Sequence, residues 1–391
     1  MGDPSTPFRV LAQKVKTFIA AAFSIDSPSP VARGEGQNKG VSQVTRVSVP
    51  QLETFIAQAF EAVGIATSEA TIIAELMVRA DAQGSEGHGV FRLPQYIRRI
   101  KGGAVNVKPD IRVAREAAGM ALVDGDNGMG HLVMRFATRK AIEKAKQAGV
   151  AWVGVKRSNH AGPASLYASM PLEHDMIGLY LAVGNANHLP PWGGMDMLLS
   201  TNPIAVAVPA EEELPVVLDM ATTVAAYGKV KTKAQRGEMM PEGWMMDREG
   251  RPLTDPKRAN EGFLLPIGGY KGYGLALIFG LLAGTLNGAA MGKDVVDFNA
   301  DDTTPTNTGH VIVAINVEAF QPVAEFKKSV DMLVRDIRDS QRLPGVDHIR
   351  LPGEGSYAAR ADRFENGIPL PAPLLASLNQ LAAELKILPL A

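Results

Sequence analysis

Residues 120–155 read Met120-Ala121-Leu122-Val123, then Gly125-Asp126-Asn127-Gly128-Met129-Gly130, a run from His131 to Ala148, and Val150-Ala151-Trp152-Val153-Gly154-Val155. The two apolar runs are short and bounded by glycine, which predicts strands, and the longer run between them predicts a helix. A glycine-rich turn between a strand and a helix invites comparison with the dinucleotide fingerprint of parallel nucleotide-binding sheets. That fingerprint needs an acidic residue about 20 positions on, in the following strand, to hold a ribose. None stands there. The stretch therefore predicts an α/β unit without the Rossmann fingerprint.

The pattern continues outward. Met176 to Val183, Ile204 to Val208, Val216 to Leu218 and Val311 to Asn316 predict strands. Ala161 to Glu173 predicts a helix, as does the glycine-containing apolar run from Lys271 to Asn287. Val323 to Asp339 predicts an amphipathic helix and Pro373 to Leu385 a capping one. Upstream, Val49-Pro50-Gln51-Leu52 opens a helix with Leu52, Phe55, Ile56 and Phe60 on one face. Thr67 or Ser68 caps a second, with Ile72, Ile73, Leu76, Met77 and Ala80 at helical spacing. Mixed helix and strand order implies an α/β (mixed α+β) fold with helices covering the sheets.

The segment Ser24 to Ser42 is rich in Ser, Pro, Gly, Asn and Gln, so residues 1–45 are expected to be a flexible tail. Phe8 to Ile19 within it has the pattern of a short basic amphipathic helix; a transit peptide, an appended leader and a mis-assigned start all fit. The whole chain has 391 residues, enough for two or three domains, and 46% of them are apolar, as in ordinary folded proteins. A net charge of −1 supplies no basic field for nucleic acid or an anionic membrane. The absence of cysteine removes disulfides, thiolate metal sites and a cysteine nucleophile, and fits a cytoplasmic protein. The longest apolar run, Leu275 to Leu286, is interrupted by glycine and too short to span a bilayer.

Four short segments carry candidate chemistry. Gly84-Ser85-Glu86-Gly87-His88-Gly89-Val90-Phe91-Arg92 places a histidine and an arginine among glycines after a helix. An arginine fork holds a carboxylate and a histidine moves a proton near neutrality, but a solvated helix end fits the segment as well. Arg157-Ser158-Asn159-His160-Ala161-Gly162 follows a predicted strand and precedes a helix, a position where α/β proteins bind ligands. His160 there suits acid–base work. Leu218-Asp219-Met220-Ala221-Thr222-Thr223 has Asp219 ending a strand and two threonines opening a helix; an N-cap and a ligand contact fit equally. Gly268-Gly269-Tyr270-Lys271-Gly272-Tyr273-Gly274 opens a helix, where glycines, backbone N–H groups and Lys271 suit a phosphate, or simply a tight turn. It is not a Walker loop. Asn202, in Thr201-Asn202-Pro203, can hydrogen-bond a cofactor amide. The seven histidines show no zinc spacing, so no metal site is expected.

Taken in order, these segments resemble the type 2 malate/L-lactate dehydrogenase family, which includes ureidoglycolate dehydrogenases and Δ1-piperideine-2-carboxylate/Δ1-pyrroline-2-carboxylate reductases. The resemblance runs from about Val47 to the C-terminus. It rests on His88-Gly89 with Arg92 and Tyr96, Ser158-Asn159-His160, Thr201-Asn202-Pro203, Asp219-Met220-Ala221-Thr222, Pro241 to Trp244, Thr254-Asp255-Pro256, the cluster from Gly268 to Gly274, and Leu351-Pro352-Gly353-Glu354. It implies a non-Rossmann NAD(P)-binding domain over 121–309, a helical dimerisation and substrate domain over 46–120 and 310–391, and an intertwined homodimer. It implies hydride transfer between NAD or NADP and a small carboxylate substrate, a 2-oxo or 2-imino acid. By position, His160 matches the proton donor/acceptor, His88 the substrate-end histidine, and Arg92, with Tyr96, the carboxylate-binding site. Gly184-Asn185, Thr201-Asn202, Asp219-Met220-Ala221 and Lys271-Gly272 match cofactor contacts, and Asp219 is a further catalytic candidate in imine reduction.

One departure stands out. Gly87 occupies the place of the serine in the family's Ser-His-Gly, so a hydroxyl is missing beside His88. The resemblance leaves a 2-oxo acid dehydrogenase, a cyclic-imine reductase and an inactive nucleotide-binding protein as readings to separate. A phosphate-ligand or nucleotide-hydrolysing protein would need a metal-holding carboxylate set near Lys271, and the sequence supplies none.

Overall fold

The computed structural model describes residues 44–390. The tail and the helix expected over Phe8 to Ile19 lie outside these residues, apart from the tail's last two positions. Val44 and Thr45 instead belong to strand β1 (Val44–Val47), which pairs antiparallel with β11 (Ile368–Pro371) and so ties the start of the described chain to its end. Around this ribbon pack α1 (Val49–Glu61), α2 (Thr67–Ala82), α3 (Leu93–Lys101) and α10 (Ala372–Leu385). Leu52, Phe55, Ile56 and Phe60 form the buried face of α1 as their spacing predicts, and they share one core with Ile73, Met77, Tyr96 and Leu378. The residue before α2 is Ala66, with no side-chain cap, so neither Thr67 nor Ser68 caps that helix.

The second body is a seven-stranded sheet. Its strands are β2 (Arg112–Ala117), β3 (Met120–Asp124), β4 (Val150–Ser158), β5 (Met176–Ala182), β6 (Ile204–Val208), β7 (Val216–Met220) and β10 (Thr308–Asn316), in the order β2-β3-β4-β10-β5-β6-β7. Only β3 and β4 run parallel, joined by α4 (Gly130–Ala148); every other neighbouring pair is antiparallel. The strand–helix–strand reading of residues 120–155 is therefore the one crossover unit of the sheet.

Side chains alternate across it. Val153, Ile312 and Ala314 face a core with α4, while Val311 and Val313 face α7 (Tyr270–Ala283) on the other side. Helix α2 joins the two bodies, because Leu76 and Ala80 pack into the sheet-side core. A small third cluster gathers α6 (Tyr227–Arg236) with β8 (Met245–Asp247) and β9 (Gly262–Leu264). Helices α8 (Val323–Asp339) and α9 (Glu354–Asn366) lead back to β11.

Four further expectations change. The boundary expected between 309 and 310 falls inside β10, which pairs with β4 on one side and β5 on the other, so residues 308–316 belong to the sheet. The helix expected over Ala161 to Glu173 is a short α5 (Ser165–Ala168) and a 3-10 turn (Met170–His174). Gly162 at φ +81° followed by Pro163, and then Pro171, interrupt it. The threonines after Asp219 open no helix; Thr222 turns its N–H and hydroxyl onto the Thr201 carbonyl. The glycine-rich helix α7 stops at Ala283, before a 3-10 turn at Thr285–Asn287. No helix among the described residues is long and apolar enough to cross a membrane.

Candidate active site

After α2 the chain passes Gly84 at φ +86° and makes two 3-10 turns, Glu86–His88 and Val90–Arg92, before α3 begins. The turns carry His88 and Arg92, both of them partly buried. Arg92 Nε donates to the Gly87 carbonyl at 2.8 Å, and Nη1 donates to Gln95 Oε1 at 2.9 Å and Asn299 Oδ1 at 3.1 Å. The guanidinium lies over the Phe298 ring, 5.2 Å from its centroid. Nη2 has no hydrogen-bond partner among the described residues, which leaves one edge of the fork for an anion.

His160 arrives from the C-terminal end of β4. Asn159 anchors its loop: the amide donates to the Asn127 and Gly128 carbonyls and accepts from Thr306 Oγ1. A Cβ at Gly130 would overlap the Asn159 carbonyl. The glycine-rich turn 125–130 thus serves close packing beneath the His160 loop.

The His160 ring is sandwiched. His88 stacks on it at 5.5 Å between centroids and 14° between planes, and Phe298 at 5.0 Å and 11°. Tyr96, from α3, places its hydroxyl 2.5 Å from His160 Nδ1, and the Gly162 N–H approaches the same nitrogen at 3.4 Å. With Nδ1 accepting, the neutral ring carries its proton on Nε2. The structure therefore brings together His88, Arg92, Tyr96 and His160, which come from two separate stretches of the sequence.

Burial, then the Arg92 charge, lowers His88 to about 4. His160 is held well below the usual histidine range by burial first, then by His88, Arg92, His131 and His310. His131, wholly buried with its ring edge-on to Tyr96, is lowered to about 3 by burial and then His88. The site histidines are consequently neutral at pH 7. Burial pushes the Tyr96 hydroxyl up, against the pull of Arg92, so it too stays protonated.

A cleft of about 1690 Å³ opens beside His88 and is bordered by Thr201, Asp219, Met220, Ala221 and Lys229. Asp219 Oδ2 accepts from the Ser165 N–H at 2.9 Å. One side of Asp219 meets the water of the cleft; the protein around the rest raises its carboxyl, and the Ser165 hydrogen bonds oppose that shift.

The other expected cofactor residues stand elsewhere. Asn202 is fully buried; its Oδ1 accepts from the Gly184 N–H and its Nδ2 donates to the Ala276 carbonyl. Its amide is a strut between β5's exit loop and α7, not a free contact for a cofactor amide. Asn185 donates to Thr308 Oγ1, and its carbonyl accepts from the Phe298 N–H, which sets the ring that stacks on His160. Lys271 is exposed at the start of α7, and Gly272 lies so close to the Ile267 backbone that a Cβ would overlap it. Neither borders the cleft. Sequence reasoning missed Phe298, Asn299 and Lys231, whose Nζ donates to the same Asn299 Oδ1 as Arg92. No local pattern marks them, because their neighbours are far away in the chain. No group of three or more His, Asp or Glu side chains among the described residues is arranged to hold a metal ion.

The family model described as malate/L-lactate dehydrogenase matches residues 47–379. The chain is 38% identical over 346 residues to a malate dehydrogenase of Pyrococcus horikoshii, covering 86% of this chain and 94% of that one. The solved structure of malate dehydrogenase from Pyrococcus horikoshii OT3 superposes with a TM-score of 0.82 at 35% identity, over 90% of this chain and 99% of that chain. A Δ1-piperideine-2-carboxylate reductase from Pseudomonas syringae gives 0.76 at 30% identity, over 86% and 100%. With the fold, the matched length and the identities in agreement, the chain belongs to the malate/L-lactate dehydrogenase family.

Proposed function

We propose that this chain transfers a hydride between NAD(P)H and C2 of a small 2-oxo acid, interconverting it with the 2-hydroxy acid. The observation that carries the reading is His160: Nδ1 is engaged by Tyr96, Nε2 is left to face a reactant, and Arg92 stands beside it with an unpaired fork edge. A bound NAD(P)H supplies the hydride. The cleft suits such a ligand, since its volume exceeds the ~300–1,000 Å³ of pockets for drug-sized molecules. Asp219 and Thr201 can accept from ribose hydroxyls, and Lys229 offers positive charge to a phosphate. Met220 and Ala221 border the same space. Gly184, Asn185 and Gly272 support the loops around it, and Lys271 adds charge at the α7 N-terminus.

In reduction, Arg92 holds the substrate carboxylate, and the new negative charge offsets a cause of His160's low pKa. His160 then takes up a proton and gives it from Nε2 to the alkoxide oxygen developing at C2. Tyr96 keeps the ring oriented through Nδ1, and His88 covers one of its faces. In oxidation Nε2 accepts the hydroxyl proton from the other neutral tautomer, in which Nδ1–H donates to the Tyr96 oxygen.

The runner-up is reduction of a cyclic 2-imino acid, favoured by Asp219: a carboxyl raised by its surroundings can manage a proton at an imine nitrogen. We place the cofactor on a non-Rossmann sheet, a reading supported by its single parallel pair. The helical body around β1 and β11 closes the substrate end. We also propose a homodimer, supported by the exposed apolar side chains Leu275, Ile278 and Leu281 along α7, and a cytoplasmic location, with which a cysteine-free chain is compatible. The deciding experiment is absorbance of reduced nicotinamide with pyruvate, oxaloacetate and Δ1-piperideine-2-carboxylate, each with NADH and NADPH. Turnover of the oxo acids supports the first reading, turnover of the imine alone the second, and bound cofactor with no turnover an inactive binding protein.

A further inference from the structure

We propose that Asp81 is a positioning residue for the substrate site: its carboxyl group pins the Gly89-Val90 dipeptide and so sets where His88 and Arg92 stand. The proposal rests on the reading of those two residues given above. Asp81 sits in the last turn of α2 and is 2% exposed. Its Oδ2 accepts from the Val90 N–H at 2.8 Å. A Cβ at Gly89 would overlap the same carboxyl group, so the dipeptide lies directly on it and only a hydrogen fits between. The two pinned residues fall between His88 at the end of one 3-10 turn and Arg92 at the end of the next. A shift at the peg therefore moves both reactive side chains at once.

The surroundings brace this contact. From α9, Arg363 donates to the Asp81 backbone carbonyl and to Glu86, which clamps the preceding turn onto the end of α2. The groups facing the Asp81 carboxyl are thus the Val90 N–H, the Arg363 cation and the Glu86 anion. Burial raises the carboxyl to about 8, with Glu86 acting in the same sense and Val90 and Arg363 against it. At pH 7 the peg is largely the neutral acid, which an asparagine imitates in shape and in its carbonyl acceptor.

The test compares Asp81→Ala with Asp81→Asn by kinetics and by amide exchange over residues 86–92. Loss of the peg in Asp81→Ala should lower kcat/KM for the 2-oxo acid on the order of 100-fold, the cost of a small misplacement of reacting groups, and speed exchange at Val90. Cofactor affinity should stay within about twofold, because the cleft's cofactor side does not touch the peg. Asp81→Asn, which keeps a carbonyl acceptor for the Val90 N–H, should recover activity to within about fivefold and restore slow exchange at Val90. Wild-type exchange through 86–92 in Asp81→Ala overturns the proposal, as does an Asp81→Asn variant as loosened and impaired as the alanine. Should Asp81→Ala not fold, Asp81→Ser, whose shorter side chain withdraws the acceptor from the Val90 N–H, is read by the same exchange and kinetics with the same two outcomes. A wild type inactive on every oxo and imino acid sinks the functional reading instead, and the exchange pattern alone then judges Asp81.

Discussion

In the proposed mechanism His160 works through its two nitrogens. Tyr96 occupies one, so the other is the proton-carrying atom, and His160→Ala should cut turnover by at least about 100-fold. A variant with near wild-type turnover would remove His160 from the mechanism. The pH dependence follows from the sign of the shift. A histidine held below its usual range is neutral at pH 7 and must gain a proton to act as the acid in reduction. Reduction of the oxo acid should therefore quicken as pH falls from 8 to 6, whereas oxidation of the hydroxy acid, whose base is already neutral, should stay level over the same window, as initial rates at saturating cofactor would record. A reduction rate that falls over that window would mean that the proton comes from another group. Gly87 leaves the space beside His88 open, since a Cβ there would meet nothing within 4 Å. The family's serine could stand there without rearrangement.

Helix α8 shows how one residue can hold an element. Asp331 is buried, and its carboxylate accepts the backbone N–H groups of Glu211, Glu212 and Glu213 at 3.1, 2.8 and 3.2 Å. It seats the loop between β6 and β7, the strand that carries Asp219. Asp331→Ala should cost about 2 kcal/mol, because three partly buried backbone donors lose their shared carboxylate acceptor. Thermal unfolding should reveal it, with kcat/KM at 25 °C little changed; an unchanged melting temperature would contradict this seating. Elements with a clean period were legible from the chain, and α8 spans the residues its amphipathic pattern predicts. Where Gly162, Pro163 and Pro171 interrupt the apolar spacing, a single helix from 161 to 173 was the wrong expectation, since the missing N–H groups and the left-handed glycine end it locally.

At the scale of the molecule, buried neutral histidines make stability depend on pH. His131 and His310 are lowered to about 3 and about 4 by burial, whereas the unfolded chain would protonate both near 6.5. Their stabilisation is complete above pH 6.5 and is lost as pH falls from 6.5 towards 4, at about 1.4 kcal/mol per pH unit for each. Asp81, raised to about 8, acts in the opposite sense, because the folded state keeps a proton that the unfolded chain releases. With His88 added, the histidines outweigh it, so the melting temperature should drop between pH 6.5 and 5. A rise over that interval would show that the carboxyls dominate. The exposed stripe on α7 makes a second prediction at this scale. The wild type should sediment as a dimer at micromolar concentration and Ile278→Glu should weaken it; a monomeric wild type would remove the proposed second copy.

The sequence by itself determined the mixed α/β class, the strand–helix–strand unit at 120–155, most helix spans and the identity of His88, Arg92, His160 and Asp219 as candidates, and Tyr96 was added only by the family resemblance. Those features depend on local periodicity, turn residues and side-chain chemistry, which a chain displays without being folded. Only the tertiary structure decided the rest: that β10 lies in the middle of the sheet, that Asn202 is a strut, that Phe298 and Asn299 complete the site, and that Asp81 underlies Gly89. The physical reason is distance along the chain. Strand pairing, ring stacking and a carboxylate's neighbours join residues tens to hundreds of positions apart, and no local pattern specifies which of them will meet.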